Sequence, residues 1–426
     1  MNTMKNILKL LEYGFTVLSL MLYTGGPLTV IVSGGVNEGE AEFYQGSDNT
    51  VIKLVFLLIY FITFLLLVAR WKKVIYTLSK DKYILVMVCI AVISILWSYA
   101  PEATITRSLG ICGTTSFGLY LATRYSLKEQ ISLLGWTFAT VILLSLLFAV
   151  ALPKYGIMGG IHTGALRGIY NHKNVLGKMM VISTTIFILQ ALNNTKNRLL
   201  IYLGLSFSVM LLLLSRSSSA MVNLPIIIGL IIIFHTWRWR YEVMIPALIA
   251  ILTLIGSFYL WFNENSDVLF GAVGKDATLT GRTEIWAVVW NMIWKRPWLG
   301  YGYGAFWFGG DLSYEAWYAA GWRAPNSHNG MLDLWVNVGL LGVFIFVFSF
   351  LKTLVNAFIC LRYRNKSQWF WPLIFIVYLI LSNLTESALM LQNDIFWVLY
   401  VAVAYSVLIP TEESINTDKV IHFSKG

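Results

Sequence analysis

Apolar runs as long as a bilayer is thick set the first constraint on this chain. Residues 51–69, "VIKLVFLLIYFITFLLLVA", contain a single charged side chain, and about 20 apolar residues suffice for a helix to cross roughly 30 Å of hydrocarbon. Comparable blocks recur along most of the 426 residues. Composition agrees: 58% of residues are hydrophobic and 12% charged, against about 25% charged in an ordinary globular domain. The two or three soluble domains that this length would otherwise allow are excluded. The blocks predict an all-α, polytopic integral membrane protein of about twelve transmembrane helices. The first seven are expected over 7–33, 50–70, 83–99, 105–124, 130–152, 174–192 and 199–214. The other five are expected over 218–235, 241–262, 329–361, 369–389 and 393–410.

The chain divides accordingly. Residues 1–262 hold spans one to nine, 263–328 form a long, partly helical loop, 329–410 hold spans ten to twelve, and 411–426 form a tail. Lys5 and Lys9 before the first apolar run resemble a signal peptide, but Glu12 lies within it and no A-x-A-like site follows. A retained first span is expected. The loops "RWKKVIYTLSKDK", "NNTKNR", "TWRWR" and "RYRNKSQ" fall on one side with both termini, while "SGGVNEGEAEFYQGSDN" falls on the other. The positive-inside rule makes the first side cytoplasmic. On this reading 19 of the 31 Lys and Arg lie inside and 12 outside. The net charge of +10 is then mostly a topology signal with some attraction to anionic lipid, and no basic tract or module points to nucleic acid. Cys89, Cys112 and Cys360 lie within or at the end of apolar segments, without paired or metal-like spacing,.

Outer-side cations are informative because the rule predicts few. Arg107, Arg167, Arg216, Arg282 and Arg323 sit beside span ends. Arg216, in "LLLLSRSSSAMVNLP", lies where two spans meet almost without a loop. An unpaired arginine there costs several kcal/mol, so it requires a partner: a structural ion pair, the water interface, or a bound anion. Every even-numbered span points its N-terminus, with free N–H groups and the positive dipole end, at the outer face. "RGIYNHKN", with Arg167, His172 and Asn174, leads into the sixth span, "SRSSS" into the eighth and "PNSHNG" into the tenth. Helix N-termini with arginines make an anion site, which at this surface suits a lipid phosphate or diphosphate.

The tenth span adds a polar stripe, Asn329, Asp333 and Asn337 at i, i+4, i+8,. His328 stands at its mouth beside an expected cap at Asn326 or Ser327. The histidine admits two readings, a cap or headgroup-level side chain and a general base toward a hydroxyl. In the long loop, "RTEIWAVVWNMIWKRP" predicts an amphipathic helix with Trp286, Trp290 and Trp294 on one face,. It would lie along the membrane or cover the site. Its tryptophans fit an interfacial belt or stacking on sugar faces. The glycines of "GYGYGAFWFGG" suggest shaping of the backbone or close approach to a ligand. No P-loop, D-x-D pair, H-E-x-x-H zinc pattern or G-x-S-x-G elbow occurs. His162 and His172, far apart in sequence and without nearby carboxylates, do not predict a metal site.

Read together, these segments resemble the superfamily of O-antigen ligases and Wzy-type polysaccharide polymerases. "WSYAPEATITRS" is similar to its early span-to-span signature, "RGIYNHKNVLG" to the start of its sixth span, and "SRSSSA" to its Ser/Arg-rich turn. "TGRTEIWAVVWNMIWKRPWLGYGYGAFW" resembles its outer-loop signature, "NSHNGMLDLWVNVGLLG" its histidine motif and "LSNLTES" its penultimate-span motif. Order, spacing and topology together make the match specific, and "RGIYNHKNVLG" and "RPWLGYGYGAFW" look most like the exopolysaccharide polymerase branch.

The resemblance implies a GT-C type, metal-independent glycosyltransferase without a cofactor, at the periplasmic face of the bacterial inner membrane. Its donor would be a glycan on undecaprenyl diphosphate, and its acceptor a second such glycan (a polymerase) or the lipid A core (an O-antigen ligase). Membrane lipids, a flippase and a chain-length regulator of the same pathway would be its other partners. Carried over by motif, His328 would be the catalytic base, and Arg216 and Arg282 would hold the diphosphate. Arg167, His172, Asn174, Arg323, Asn329 and Glu386 would be further substrate-binding residues. Glu386 is expected inside the eleventh span, as a functional acid or as partner to a buried arginine. A lipid-linked glycan transporter is the distant alternative. It would gather polar residues at the bilayer midplane, whereas here they gather at one face.

Overall fold

The computed structural model describes residues 2–35, 50–192, 197–237, 239–246, 249, 253, 282–308, 310–364 and 366–409. Most of the expected ninth span, the loop at 36–49, residues 263–281 and the tail lie outside the described residues. Among the described residues every regular element is helical, apart from an isolated antiparallel bridge between Ile157 and Leu166.

The longer helices are α1 (Asn2–Tyr23), α2 (Thr50–Val68), α3 (Trp71–Lys80), α4 (Tyr83–Ile93), α5 (Pro101–Arg124), α6 (Leu127–Ala151) and α7 (Lys173–Leu192). They continue as α8 (Arg198–Ser215), α9 (Ser218–Thr236), α10 (Arg282–Lys295), α11 (Asp311–Ala320), α12 (Gly330–Tyr363), α13 (Phe370–Asn383) and α14 (Ile395–Ser406). Among the described residues six of them, rather than twelve, are long and apolar enough to cross a membrane: α2, α6, α7, α8, α9 and α12.

Departures from the expected spans have local causes. The first span does not run unbroken to residue 33, because α1 stops at Tyr23 ahead of Gly25, Gly26 and Pro27. Glycine weakens a helix and proline cannot donate to its ladder. Helices α13 and α14 are shorter than the spans expected at 369–389 and 393–410. Every residue of α14, and nearly every residue of α13, is buried in protein, as an apolar surface on all sides of a helix requires. Asn383 ends α13: its side-chain oxygen accepts from the N–H groups of Ala388 at 2.7 Å and Leu389 at 3.1 Å, turning the chain out of the helix. Elsewhere the outside of the bundle is apolar, with Leu54, Leu143 and Val150 all exposed. Such a surface is a liability in water and suits lipid.

Cross-links tie the helix ends into two faces. At one, Glu12 meets Arg70 at 2.6 Å and Arg124 at 3.2 Å, and Lys352 meets Asp81 at 3.0 Å. At the other gather the starts of α7, α9 and α12, the end of α13, and α10. That second face carries the residues singled out above.

Helix α12 is interrupted at Gly339, whose φ of 68° and ψ of −177° are not helical. Into the break fits residues 297–302. Leu340 donates to the carbonyl of Pro297 at 2.8 Å, while Tyr301 donates to Val336 at 2.8 Å and Gly302 to Asn337 at 3.1 Å. A Cβ on Gly300 would lie 2.7 Å from the Val336 oxygen, one on Gly302 2.5 Å from Ser98 Oγ, and one on Gly304 2.3 Å from Arg107 Cδ. Of the two readings of the glycine run, shaping of the backbone and close approach to a ligand, these contacts support the first. The run makes room for the protein's own backbone and side chains.

Candidate functional site

Residues 325–329 reach the site as a loop held from three sides. The indole of Trp286 on α10 donates to the Ser327 carbonyl at 2.8 Å. Both oxygens of Asp333 accept from the Ser327 N–H at 3.2 Å. Asn326 Oδ1 accepts from the His328 N–H at 2.9 Å. The cap of α12 is Asn329 and not Asn326 or Ser327: its backbone is extended, and its side chain accepts from Met331 at 3.1 Å and Leu332 at 3.2 Å. An oxygen on Ncap reaching the N–H groups two and three residues on is what quiets a helix start.

Asp333 and Asn337 also have separate structural partners. Asp333 accepts from the Trp307 indole at 2.7 Å and from the Ser387 hydroxyl. Asn337 accepts from Gly304 N at 3.0 Å. The stripe thus binds the 303–307 segment, the histidine loop and the 384–394 loop to a single helix.

Glu386 is the hub. It lies three residues beyond the end of α13, in the loop to α14, rather than within a span as expected; the Asn383 turn puts it there. His328 Nδ1 stands 3.3 Å from Glu386 Oε2, Arg282 Nη2 3.6 Å from Oε1, and Asn174 Nδ2 donates to Oε1 at 3.4 Å. Arg282 also donates to the Thr385 carbonyl at 2.7 Å. Burial opposes the charge on Glu386, but the hydrogen bond and charge of His328, with Lys178 and Arg282, outweigh it and hold its pKa at about 2. With Nδ1 turned to the carboxylate, Nε2 is the ring's remaining nitrogen, and it is buried with no hydrogen-bond partner among the described residues. Trp322 packs against the imidazole at 5.6 Å between ring centroids.

His172 sits nearby as a cap. Its Nδ1 accepts from Asn174 N at 3.2 Å, and burial, against a smaller opposing effect from Glu386, lowers its pKa to about 4. Although far from it in sequence, His162 meets it edge-on with centroids 5.6 Å apart. Among the described residues no group of three or more His, Cys, Asp or Glu could hold a metal ion.

The other candidates lie apart from this hub. Arg216, exposed, takes a left-handed conformation at the end of α8, and its carbonyl accepts from Lys173 Nζ at 3.3 Å. Arg167 is buried, and its guanidinium donates to the carbonyls of Gly35 at 2.6 Å, Lys154 at 2.8 Å and Tyr155 at 2.9 Å. These bonds close the 154–171 loop. Arg323 is exposed, 5.7 Å over the Trp317 ring.

Residues 203–347 match the family described as O-Antigen ligase. Over that stretch the chain is similar to the O-antigen ligase family. The matched stretch includes Arg216, Arg282 and His328 and leaves out Glu386 and Asn174. Over 309 residues the chain is also 24% identical to "Exopolysaccharide production protein ExoQ" of Rhizobium meliloti (strain 1021), covering 69% of this chain and 68% of that protein.

Sequence reasoning passed over Lys178, whose charge acts on Glu386. The signal was present: a lysine one turn after Asn174 inside an apolar span, where an ionisable residue marks function by default. It also passed over Ser387 and Trp307, for which no spacing rule exists.

Proposed function

We propose that the chain is a membrane glycosyltransferase of GT-C type, moving a glycan from undecaprenyl diphosphate to an acceptor hydroxyl at the periplasmic face of the inner membrane. The observation that carries this is Glu386 placed between His328 and Arg282. A carboxylate on Nδ1 sets the tautomer in which Nε2 carries the lone pair, the arrangement a general base needs. Nε2 then takes the proton of the acceptor hydroxyl as its oxygen attacks the anomeric carbon, and the bond from that carbon to the diphosphate oxygen breaks. Arg282, with Arg216 as a second cation, stabilises the charge growing on the leaving diphosphate. Asn174 and Lys178 keep Glu386 ionised and in place.

The ExoQ relative favours repeat-unit polymerisation for exopolysaccharide, capsule or O-antigen. The family description favours the alternative, ligation of finished polymer to lipid A core. Purified His328→Ala and Arg282→Ala should each lose transfer from a lipid-linked glycan while inserting and melting normally; retained transfer in both refutes the assignment. Glu386→Gln should slow transfer by about a hundredfold, the low end of general acid–base contributions. Chemical analysis of surface glycans after deletion separates the two activities. Single repeats left on lipid A core mark a polymerase, and polymer accumulating on the lipid carrier marks a ligase.

A further inference from the structure

Two cavities lie on either side of residues 385–387. Thr385, Glu386 and Lys178 line a narrow one. Ser387 lines the other, a cavity of about 150 Å³ walled by Arg107, Tyr303, Trp307, Asn326, Asp333 and Asn337. We propose that this second cavity is a sugar subsite, which takes one ring of the acceptor glycan. The proposal rests on the glycan-transfer reading above.

The polar groups in it are oriented by bonds made elsewhere. Asn337 Oδ1 accepts from Gly304 N and Asn326 Oδ1 from His328 N. A backbone N–H can only donate, so each amide's orientation is settled and its NH₂ is left for a ligand. Arg107 spends one nitrogen on the Gly304 carbonyl and lies 6.0 Å over the Phe308 ring, with no carboxylate in ion-pair reach among the described residues. The oxygens of Asp333 are taken by Ser327, Trp307 and Ser387. The Ser387 hydroxyl, which donates to Asp333, keeps its oxygen as the acceptor for a ligand,. The Asp333 bond to the Trp307 indole holds that ring as a partly exposed wall.

Donors, acceptors and an aromatic wall together match a sugar, which offers hydroxyls at its rim and C–H groups on its faces. A phosphate would gain Arg107 but confront Asp333, so a neutral polyol fits better than an anion. Volume sets the number of rings: drug-sized ligands occupy pockets of about 300–1,000 Å³, and this cavity is smaller. Its place is also apt. Asn326, in its wall, receives the N–H of His328, so occupancy acts on the histidine loop directly.

The test uses the full-length protein in detergent and two probes, the repeat-unit oligosaccharide released by mild acid from the organism's own surface polymer and inorganic pyrophosphate. Asn337→Asp keeps the oxygen that Gly304 needs and replaces the amide donor with an acceptor. By calorimetry it should bind the oligosaccharide about tenfold more weakly, the loss of one donor with added repulsion. Pyrophosphate affinity should be unchanged. Transfer should show a raised KM for the acceptor with kcat little altered. Arg107→Lys should weaken the oligosaccharide likewise. If Asn337→Asp melts below wild type, Asn326→Asp makes the same exchange at the opposite wall. An oligosaccharide that binds the variants as tightly as wild type, or does not bind wild type, overturns the subsite. Pyrophosphate affinity untouched by Arg282→Ala instead undermines the diphosphate site and leaves the subsite to its own titration.

Discussion

His328 and Arg216 share an unusual backbone, with φ of 53° and 51°. Left-handed geometry is uncommon for residues other than glycine and costs about 1–2 kcal/mol. At Arg216 it ends a helix. At His328 the Trp286, Asp333 and Asn326 bonds around the loop impose it, and strain held this way is typical of working side chains. His172 shows the opposite economy, a histidine kept neutral by burial. Its folded pKa of about 4 lies below its ordinary 6.5, so between those values the unfolded chain binds more protons. Stability should therefore fall as pH drops from about 6.5 to about 4. Glu386, with its pKa at about 2 instead of 4.5, contributes stability that is present above about 4.5 and is lost only as pH falls through about 2. His172→Asn, which can still cap α7, should flatten the decline in thermal melts across pH 4 to 6.5; an unchanged slope would show that His172 is not its source. At this scale the sequence singled out His328, Arg282, Asn174 and Glu386 as candidates one by one. It did not reveal their pairing, because His328, Arg282, Asn174 and Glu386 come from four separate segments.

Among the elements, α12 organises the histidine side of the site. Its Asp333 and Asn337 bind two loops, and its break at Gly339 admits the segment from Pro297 to Gly302. Gly330 at its start lets the helix approach α13, since a Cβ there would lie 2.0 Å from Asn383 Oδ1. Gly339 is the more exacting position: a Cβ would meet the Trp298 carbonyl oxygen at 2.1 Å, and the left-handed φ disfavours any side chain. Backbone cannot give way as a flexible side chain can. Gly339→Ala should therefore lower the melting temperature by about 2 °C, as a loss of about 2 kcal/mol would in a chain of this length. It should also abolish transfer although it touches no candidate site residue. Wild-type activity in this variant would mean that the segment does not need the break. The periodicity of α12 and the tryptophan face of α10 were plain in the sequence. The break was not, because one glycine in an apolar helix reads as a tolerated weak point. Likewise "LSNLTES" reads as continuing span until Asn383 is seen to fold its side chain over the following N–H groups.

For the whole molecule, the two tied faces give the chain a polarity that can be measured. Hydropathy made the membrane class legible. The number of crossings was less so, because α13 and α14 are apolar for burial in protein, and apolarity alone does not distinguish that from lipid. The proposed orientation, which rests on the positive-inside rule, would put the Glu12–Arg70–Arg124 face in the cytoplasm and the Glu386 face outside. Tyr318 on α11 and Tyr363 at the far end of α12 are each 81% exposed, a matched pair of reporters. With Cys89, Cys112 and Cys360 replaced by serine, Tyr318→Cys should react with a membrane-impermeant maleimide in intact spheroplasts. Tyr363→Cys should react only after lysis. The reverse pattern would turn the molecule over and put the histidine site in the cytoplasm. There a lipid-linked glycan would still be under assembly, and transfer to a periplasmic acceptor would have to be abandoned.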